Sequence, residues 1–268
     1  MDSNRWMSRH GVAREADMTP YGTASENVAA QVIHESVRVL DCFSVETPNL
    51  HAVDIVRMAG VPSSTVMEIL HTLVDQHLLQ QDGFFYSVGL RAIEWGAAAD
   101  AASDLLTAGR PLVRALRDRS GECCGLQIRR GGNHITLFWA HSGHTLAYPG
   151  YTGRLQPLRD SAAGDIFMAH DLSAFRLVLD SGRTLIETEA LQCHLARVRL
   201  QGWTFVKEKC DSEMGVLAAP VFGENGTVVA AVTLGGPTRR LTTDRVAGLA
   251  DQVVECAQDL SHYLAACP

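Results

Sequence analysis

Two short groupings carry the residue types that nucleophilic or metal chemistry uses. His141-Ser142-Gly143-His144 sets two imidazoles close together, and Cys210-Asp211 sets a thiol beside a carboxylate. A thiol activated by an imidazole is a nucleophile, which makes His141 and Cys210 the candidate catalytic pair. His141 and His144 with a Cys have the chemistry of a divalent metal site. Neither spacing matches an established motif, so no metal and no cofactor is expected, and catalysis stands as the alternative to simple binding. A third set is mostly polar, without a reactive pairing. Ser63, Ser64, Thr65, Met67, His71 and Thr72 share one helix-like segment, with Arg57 just before it.

The elements that must position these residues follow from the apolar spacing. Helical periodicity runs from Glu26 to Phe43 through Val28, Val32, Ile33, Val37 and Leu40. A second short helix covers His51 to Ala59 and ends at Gly60. Val61-Pro62-Ser63-Ser64-Thr65 starts a third, which reaches His77. Two short helices around a Gly-containing turn are a helix-turn-helix pattern. Leu78 to Val88 is two strand-like runs about Asp82-Gly83, a hairpin signal. The Ala-rich segment Trp95 to Ser103 favours helix, and Pro111 is expected to begin another that ends at Ser120-Gly121.

The second half alternates strands and helices. Gly125–Ile128 with Ile135–Ala140, and Val216–Phe222 with Val228–Leu234, read as β-hairpins. Ala162–His170, Leu191–Gln201 and Thr242–Leu264 read as helices. Hairpins beside flanking helices give an α+β class with a mainly antiparallel sheet.

The chain has 268 residues, enough for two domains, and 46% hydrophobic with 20% charged residues is ordinary for a globular protein. No run approaches the roughly 18 apolar residues of a membrane span, so no membrane partner is expected. The start, MDSNRWMSRHGVAREADMTP, has no apolar core of a secretory signal. It reads as a loose tail over residues 1–25. Seven Cys, an odd number without a C-x-x-C pair, argue for a reducing compartment and a cytoplasmic protein.

Four segments together resemble the IclR family of bacterial transcriptional regulators. Val61-Pro62-Ser63-Ser64-Thr65-Val66 is similar to the family's L-P-K-S-T-V, and Tyr86-Ser87-Val88-Gly89-Leu90-Arg91 to its Y-R-L-G-L-R. Pro157-Leu158-Arg159-Asp160-Ser161-Ala162-Ala163-Gly164 is similar to P-L-H-A-T-A-L-G. Leu217-Ala218-Ala219-Pro220-Val221-Phe222, then Val229 to Pro237 and Leu241-Thr242, is similar to I-A-A-P-V-F…S-V-S-G-P…L-T. The resemblance spans Val28 to Ala265. It implies a winged helix-turn-helix over 26–90, a linker helix over 91–108 and a GAF-like α/β sensor domain over 109–268. It also implies operator DNA, with base edges and phosphates met by Ser63, Ser64, Thr65, Met67, His71, Thr72 and Arg57, a small organic effector, and a homodimer or tetramer.

Several residues depart from the family pattern. In the recognition helix the usual Lys is Ser63, the usual His is Met67 and the usual Arg is Glu68. From Gln31 to Gly96 the only cations are Arg38, Arg57 and Arg91, against eight carboxylates. Counterion release needs several cationic contacts, so non-specific affinity for DNA should be poor. Thr65-x-x-Glu68 fits a capping box, which would bond Glu68 back to the helix start and leave Ser64, Thr65, Met67, His71 and Thr72 to read bases. The alternative is a repurposed protein whose winged helix only packs a dimer and whose sensor pocket is a binder or an enzyme.

The effector pocket implied by the resemblance falls at Asp160, Ser161, Ala162, Ala163 and Gly164, where helix N-terminal amides suit an anion. Asp160, and Asp165 in place of the family's Lys, oppose a simple carboxylate, while Arg159 supplies a cation. Trp139 and Tyr148 are candidate aromatic walls. Cys210 and Asp211 replace family acidic residues, Val216 replaces a pocket Cys, and Gly235 replaces a Ser and opens space.

Overall fold

The computed structural model describes residues 24–179, 185–207 and 213–266. The tail expected over 1–25 lies, up to residue 23, outside the described residues. The chain divides into two compact units, one ending at Ser103 and one beginning at Asp104.

The first unit runs α1 (Ala24–Leu40), β1 (Leu50–His51), α2 (Ala52–Ala59), α3 (Ser63–Asp75), β2 (Leu79–Asp82), β3 (Phe85–Val88) and α4 (Arg91–Ala101). Ile55 of α2 and Val66, Ile69, Leu70 and Leu73 of α3 form one core with Val39 of α1, closed by Leu79 and Tyr86, whereas Val32, Ile33 and Val37, which set the period of α1, lie on its exposed side. Gly60, at φ 60, ends α2 in the left-handed conformation, which costs a glycine nothing. The strands pair in the order β1-β3-β2, all antiparallel. Asp82 opposes Phe85, so Gly83 and Phe84 form a two-residue turn. A helix-turn-helix followed by a hairpin is the expected winged helix. β1 escaped the sequence reading because two residues show no period.

The segment after the wing differs from expectation. α4 stops at Ala101, and α5 (Asp104–Ser120) already begins at Asp104 rather than at Pro111. Pro111 sits inside α5. Its ring suits helical φ, and the helix loses one backbone bond there. Burial of Ala108, Val113 and Leu116 holds this helix together regardless.

The second unit continues from α5 with β4 (Cys123–Arg130), β5 (Asn133–Ala140), β6 (Leu155–Pro157), α6 (Ala162–His170), α7 (Leu172–Leu179), α8 (Leu185–Gln201), β7 (Thr204–Lys207), β8 (Met214–Phe222), β9 (Val228–Pro237) and α9 (Thr243–Ala266). Its sheet has the order β6-β5-β4-β9-β8-β7 with every neighbour antiparallel. This is the α+β, mainly antiparallel architecture read from the sequence. Both faces are covered. Val113 and Leu116 of α5, with Val253 and Leu260 of α9, pack on Leu126, Leu217, Val232 and Leu234. Ile166 and Phe167 of α6, Phe175 of α7 and Leu195 of α8 pack on the opposite face with Trp139, Tyr148 and Ala218. A strand buried on both faces shows no polar alternation, which is why β8 reads as one continuous apolar run. β6, α7 and the first turns of α8 were not anticipated; α8 mixes polar and apolar residues without a clean stripe.

Candidate functional site

The second unit holds a small cavity between the sheet, the loop after β5 and the start of α6. Local sequence explains its roof. Asp160 turns the chain at φ 62, and Ser161 then caps α6 by accepting a hydrogen bond from the Gly164 amide at 3.1 Å. A Cβ on Gly164 would come within 1.8 Å of the Leu158 carbonyl oxygen, so this turn closes only with glycine. Ala162 and Ala163 line the cavity. Their amides, the first two of the helix, have no partner within it.

The floor and wall come from β4, β5, β8 and β9. Gln127 donates to the Thr233 hydroxyl at 3.1 Å and accepts from the Thr136 hydroxyl at 2.8 Å, forming a buried polar chain. Trp139 and Tyr148 stand beside it with ring centroids 5.6 Å apart. Gly150 lies flat on the indole: a Cβ there would fall 2.3 Å from the ring. Gly235 supports Tyr148 in the same way, at 2.8 Å.

Polar groups in the cavity are left unpaired. His134 is 3% exposed, and neither of its ring nitrogens has a hydrogen-bond partner. Burial, with the nearby Arg154 guanidinium, pushes its pKa down to about 4, so the ring is neutral near pH ~7. The Trp139 indole N–H is also buried and unpartnered. Arg154 borders the cavity, donates to the Pro149 carbonyl at 2.7 Å and lies 5.9 Å from the Tyr148 and Tyr151 ring centroids.

Of the residues expected at the pocket, Trp139, Tyr148, Ser161, Ala162, Ala163 and Val216 line the cavity. Arg159 and Asp160 face one another at 3.5 Å and do not line it. Gly164 and Gly235 shape the wall from behind, and Cys210 and Asp211 lie outside the described residues. His141 is not in the lining: its ring meets Trp139 edge-on at 6.5 Å, and its carbonyl accepts from Arg117 at 2.8 Å. Asp165 also points away from the cavity, to His194 at 2.7 Å and Thr204 at 3.2 Å. Gln127, His134, Thr136, Arg154 and Thr233 were missed. The signal for His134 was its two-residue spacing from Thr136. The strand begins at Asn133, not Ile135, and this puts both residues on the buried face.

In the first unit, α3 buries Val66, Ile69, Leu70 and Leu73 and leaves Ser63, Ser64, Met67, His71 and Thr72 exposed, with Thr65 half-buried. The capping box does not form. Pro62 occupies the N-cap position and no side chain caps the helix, so Glu68 is exposed on the same face. Arg57 is ion-paired to Asp54 within α2. The wing tip, Asp82-Gly83-Phe84, carries no cation, and Phe84 is exposed.

Comparison with known proteins accounts for both units. Residues 36–83 match the IclR helix-turn-helix domain, and residues 98–262 match the bacterial transcriptional regulator IclR C-terminal domain. The HTH-type transcriptional regulator BhcR of Paracoccus denitrificans is 27% identical over 252 residues, covering 90% of each chain. The transcriptional repressor IclR of Escherichia coli is 25% identical over 251 residues, covering 89% of this chain and 92% of its own length. An IclR homolog from Microbacterium hydrocarbonoxydans, solved in complex with 4-hydroxybenzoate, superposes with a TM-score of 0.74 at 22% identity, covering 88% of this chain and 99% of that one. With a helix-turn-helix domain followed by an effector-binding C-terminal domain, the chain belongs to the IclR family of bacterial transcriptional regulators.

Proposed function

We propose that this regulator reads its operator through the outer face of α3, and that a small organic effector seated at the start of α6 sets operator occupancy. One observation carries the reading. α3 keeps Ser63, Ser64, Met67, His71 and Thr72 clear of the core that its other face fills. Hydroxyls and an imidazole at helical spacing are the groups that make hydrogen bonds and apolar contacts to base edges. The effector acts by binding one arrangement of the regulator better than another. The solved relative with 4-hydroxybenzoate supports an organic acid as the class.

The operator is met by two copies. α4 buries none of its residues, leaving Ile93 67% and Trp95 53% exposed, and α1 exposes Ile33 at 66%. Apolar faces of this extent suit a homodimer, which acts in the cytoplasm where its operator lies. An electrophoretic shift at low salt with DNA from upstream of the protein's own gene tests the reading. Retardation that changes on adding an organic acid is expected. No retardation of that DNA at low salt would overturn operator binding and leave the winged helix as a dimerisation element.

A further inference from the structure

The polar groups around the cavity define their ligand more narrowly than "organic acid". The inference rests on the effector-site reading above and adds a chemical class to it. His134 and Trp139 leave three polar atoms buried and unpaired, at 3% and 8% residue exposure. Each such atom costs on the order of 1–3 kcal/mol until it finds a partner, and nearly all buried polar groups in native proteins have one. A neutral imidazole has one N–H donor and one acceptor nitrogen. A carboxylate only accepts, so it satisfies N–H groups and leaves the acceptor nitrogen empty. A hydroxyl both donates and accepts, and it completes the set.

The rest of the wall agrees. Arg154, Ala162 and Ala163 border the same cavity, and a guanidinium beside a helix N-terminus favours an anionic end. The hydroxyls of Thr136 and Thr233, tied together by Gln127, retain acceptor capacity toward the ligand. An aromatic ring laid over them would remove their water and return no hydrogen bond. The cavity is also narrow, since Trp139 and Tyr148 already occupy the aromatic positions.

We infer that the cavity recognises a short aliphatic hydroxycarboxylic acid, its carboxylate held by Arg154 and the first amides of α6 and a hydroxyl read by His134. His134 is then the specificity-determining residue that separates hydroxylated acids from plain ones.

Isothermal titration of the full chain with glycerate, gluconate, propionate, hexanoate and 4-hydroxybenzoate tests this. Glycerate or gluconate binds about tenfold or more tighter than the unsubstituted acid of the same carbon number, because a site built for a hydroxyl rejects the analogue that lacks it. His134→Leu collapses that ratio to within about threefold, while His134→Gln, which keeps a donor and an acceptor, preserves it. Thermal melts of both variants check that each is folded. Arg154→Gln weakens every acid. Hexanoate or 4-hydroxybenzoate binding more tightly than the hydroxylated acids, or an unchanged ratio in folded His134→Leu, overturns the inference and leaves the effector-site reading standing. Failure of every probe to bind overturns both.

Discussion

Asp165 and His194 meet at 2.7 Å, joining the first turn of α6 to the middle of α8. The carboxylate side chain is 8% exposed and the imidazole 35%. Burial pushes the Asp165 carboxyl above its ordinary range, and the hydrogen bonds from His194 and Thr204 pull only partly against this. The folded protein therefore keeps this proton to higher pH than the unfolded chain does. The contribution is fully present below the ordinary carboxylate pKa and is lost as pH rises through the folded value. Asp165→Asn keeps the shape and a carbonyl acceptor for Thr204, and removes the charge. The variant should be as stable as wild type at about pH 7 or better by about 1 kcal/mol, with its advantage shrinking toward acid pH. Melting curves of both proteins across pH check this. A loss at about pH 7 that shrinks toward acid pH would mean that the ionised pair is a net gain.

Glu122, at the entry to β4, is fully buried and takes both oxygens to guanidinium groups. Arg240 bonds it at 2.7 Å through Nε and again at 2.7 Å through Nη2, and Arg245 reaches it at 3.3 Å. Arg245 also holds the Ser120 carbonyl at 2.8 Å, so one carboxylate ties the end of α5 and the start of β4 to Arg240 before α9 and to Arg245 in its first turn. Glu122→Gln leaves two cations facing a neutral amide. Both arginines keep some solvent contact, so the loss should sit near the lower end for a broken buried pair, about 3 kcal/mol. Urea unfolding measures it. A loss below about 1 kcal/mol would mean that water replaces the carboxylate.

The fold was legible where burial is periodic and the site where a motif marks it. Val66, Ile69, Leu70 and Leu73 face one core, and their spacing announced α3; Ser161 and Gly164 announced the start of α6. The polar floor was not legible. Gln127, Thr136 and Thr233 come from three strands, and each alone reads as an ordinary strand residue. Only the pairing of β4 with both β5 and β9 puts them in one chain. Arg154 was hidden for a related reason: it enters the cavity from a loop without period, whereas Arg159, inside the motif, faces Asp160 instead.

Gly150 offers a way to disable the proposed effector site without touching a polar group. Its Cα rests on the Trp139 indole, and an added methyl would need to displace a large, buried ring at 2.3 Å. Gly150→Ala should cost about 1–3 kcal/mol, the range for an overpacked site, and should push the ring into the cavity. Operator binding without effector should persist, because the winged helix is a separate unit. The response to added acid should disappear. An electrophoretic shift with and without ligand reads both, and an intact response would show that the loop moves instead of Trp139.

The strongest test of α3 is the residue that opposes DNA. Glu68 is exposed and uncapped, and at helical spacing it shares a face with Ser64, His71 and Thr72. The Thr72 hydroxyl donates to its backbone carbonyl at 2.9 Å, which leaves the carboxylate itself in solvent. A carboxylate brought against phosphates repels them; one brought against a cytosine amino group accepts its hydrogen bond. Glu68→Arg separates the two. If the carboxylate only repels, the variant should bind any duplex about tenfold tighter at low salt. Its plot of log K against log salt should also steepen by about 0.9 for each phosphate gained. If Glu68 reads a base, affinity for unrelated DNA rises while affinity for the operator falls. Fluorescence anisotropy on both duplexes across a salt series distinguishes the outcomes. No change on either duplex would remove the α3 face from the DNA interface.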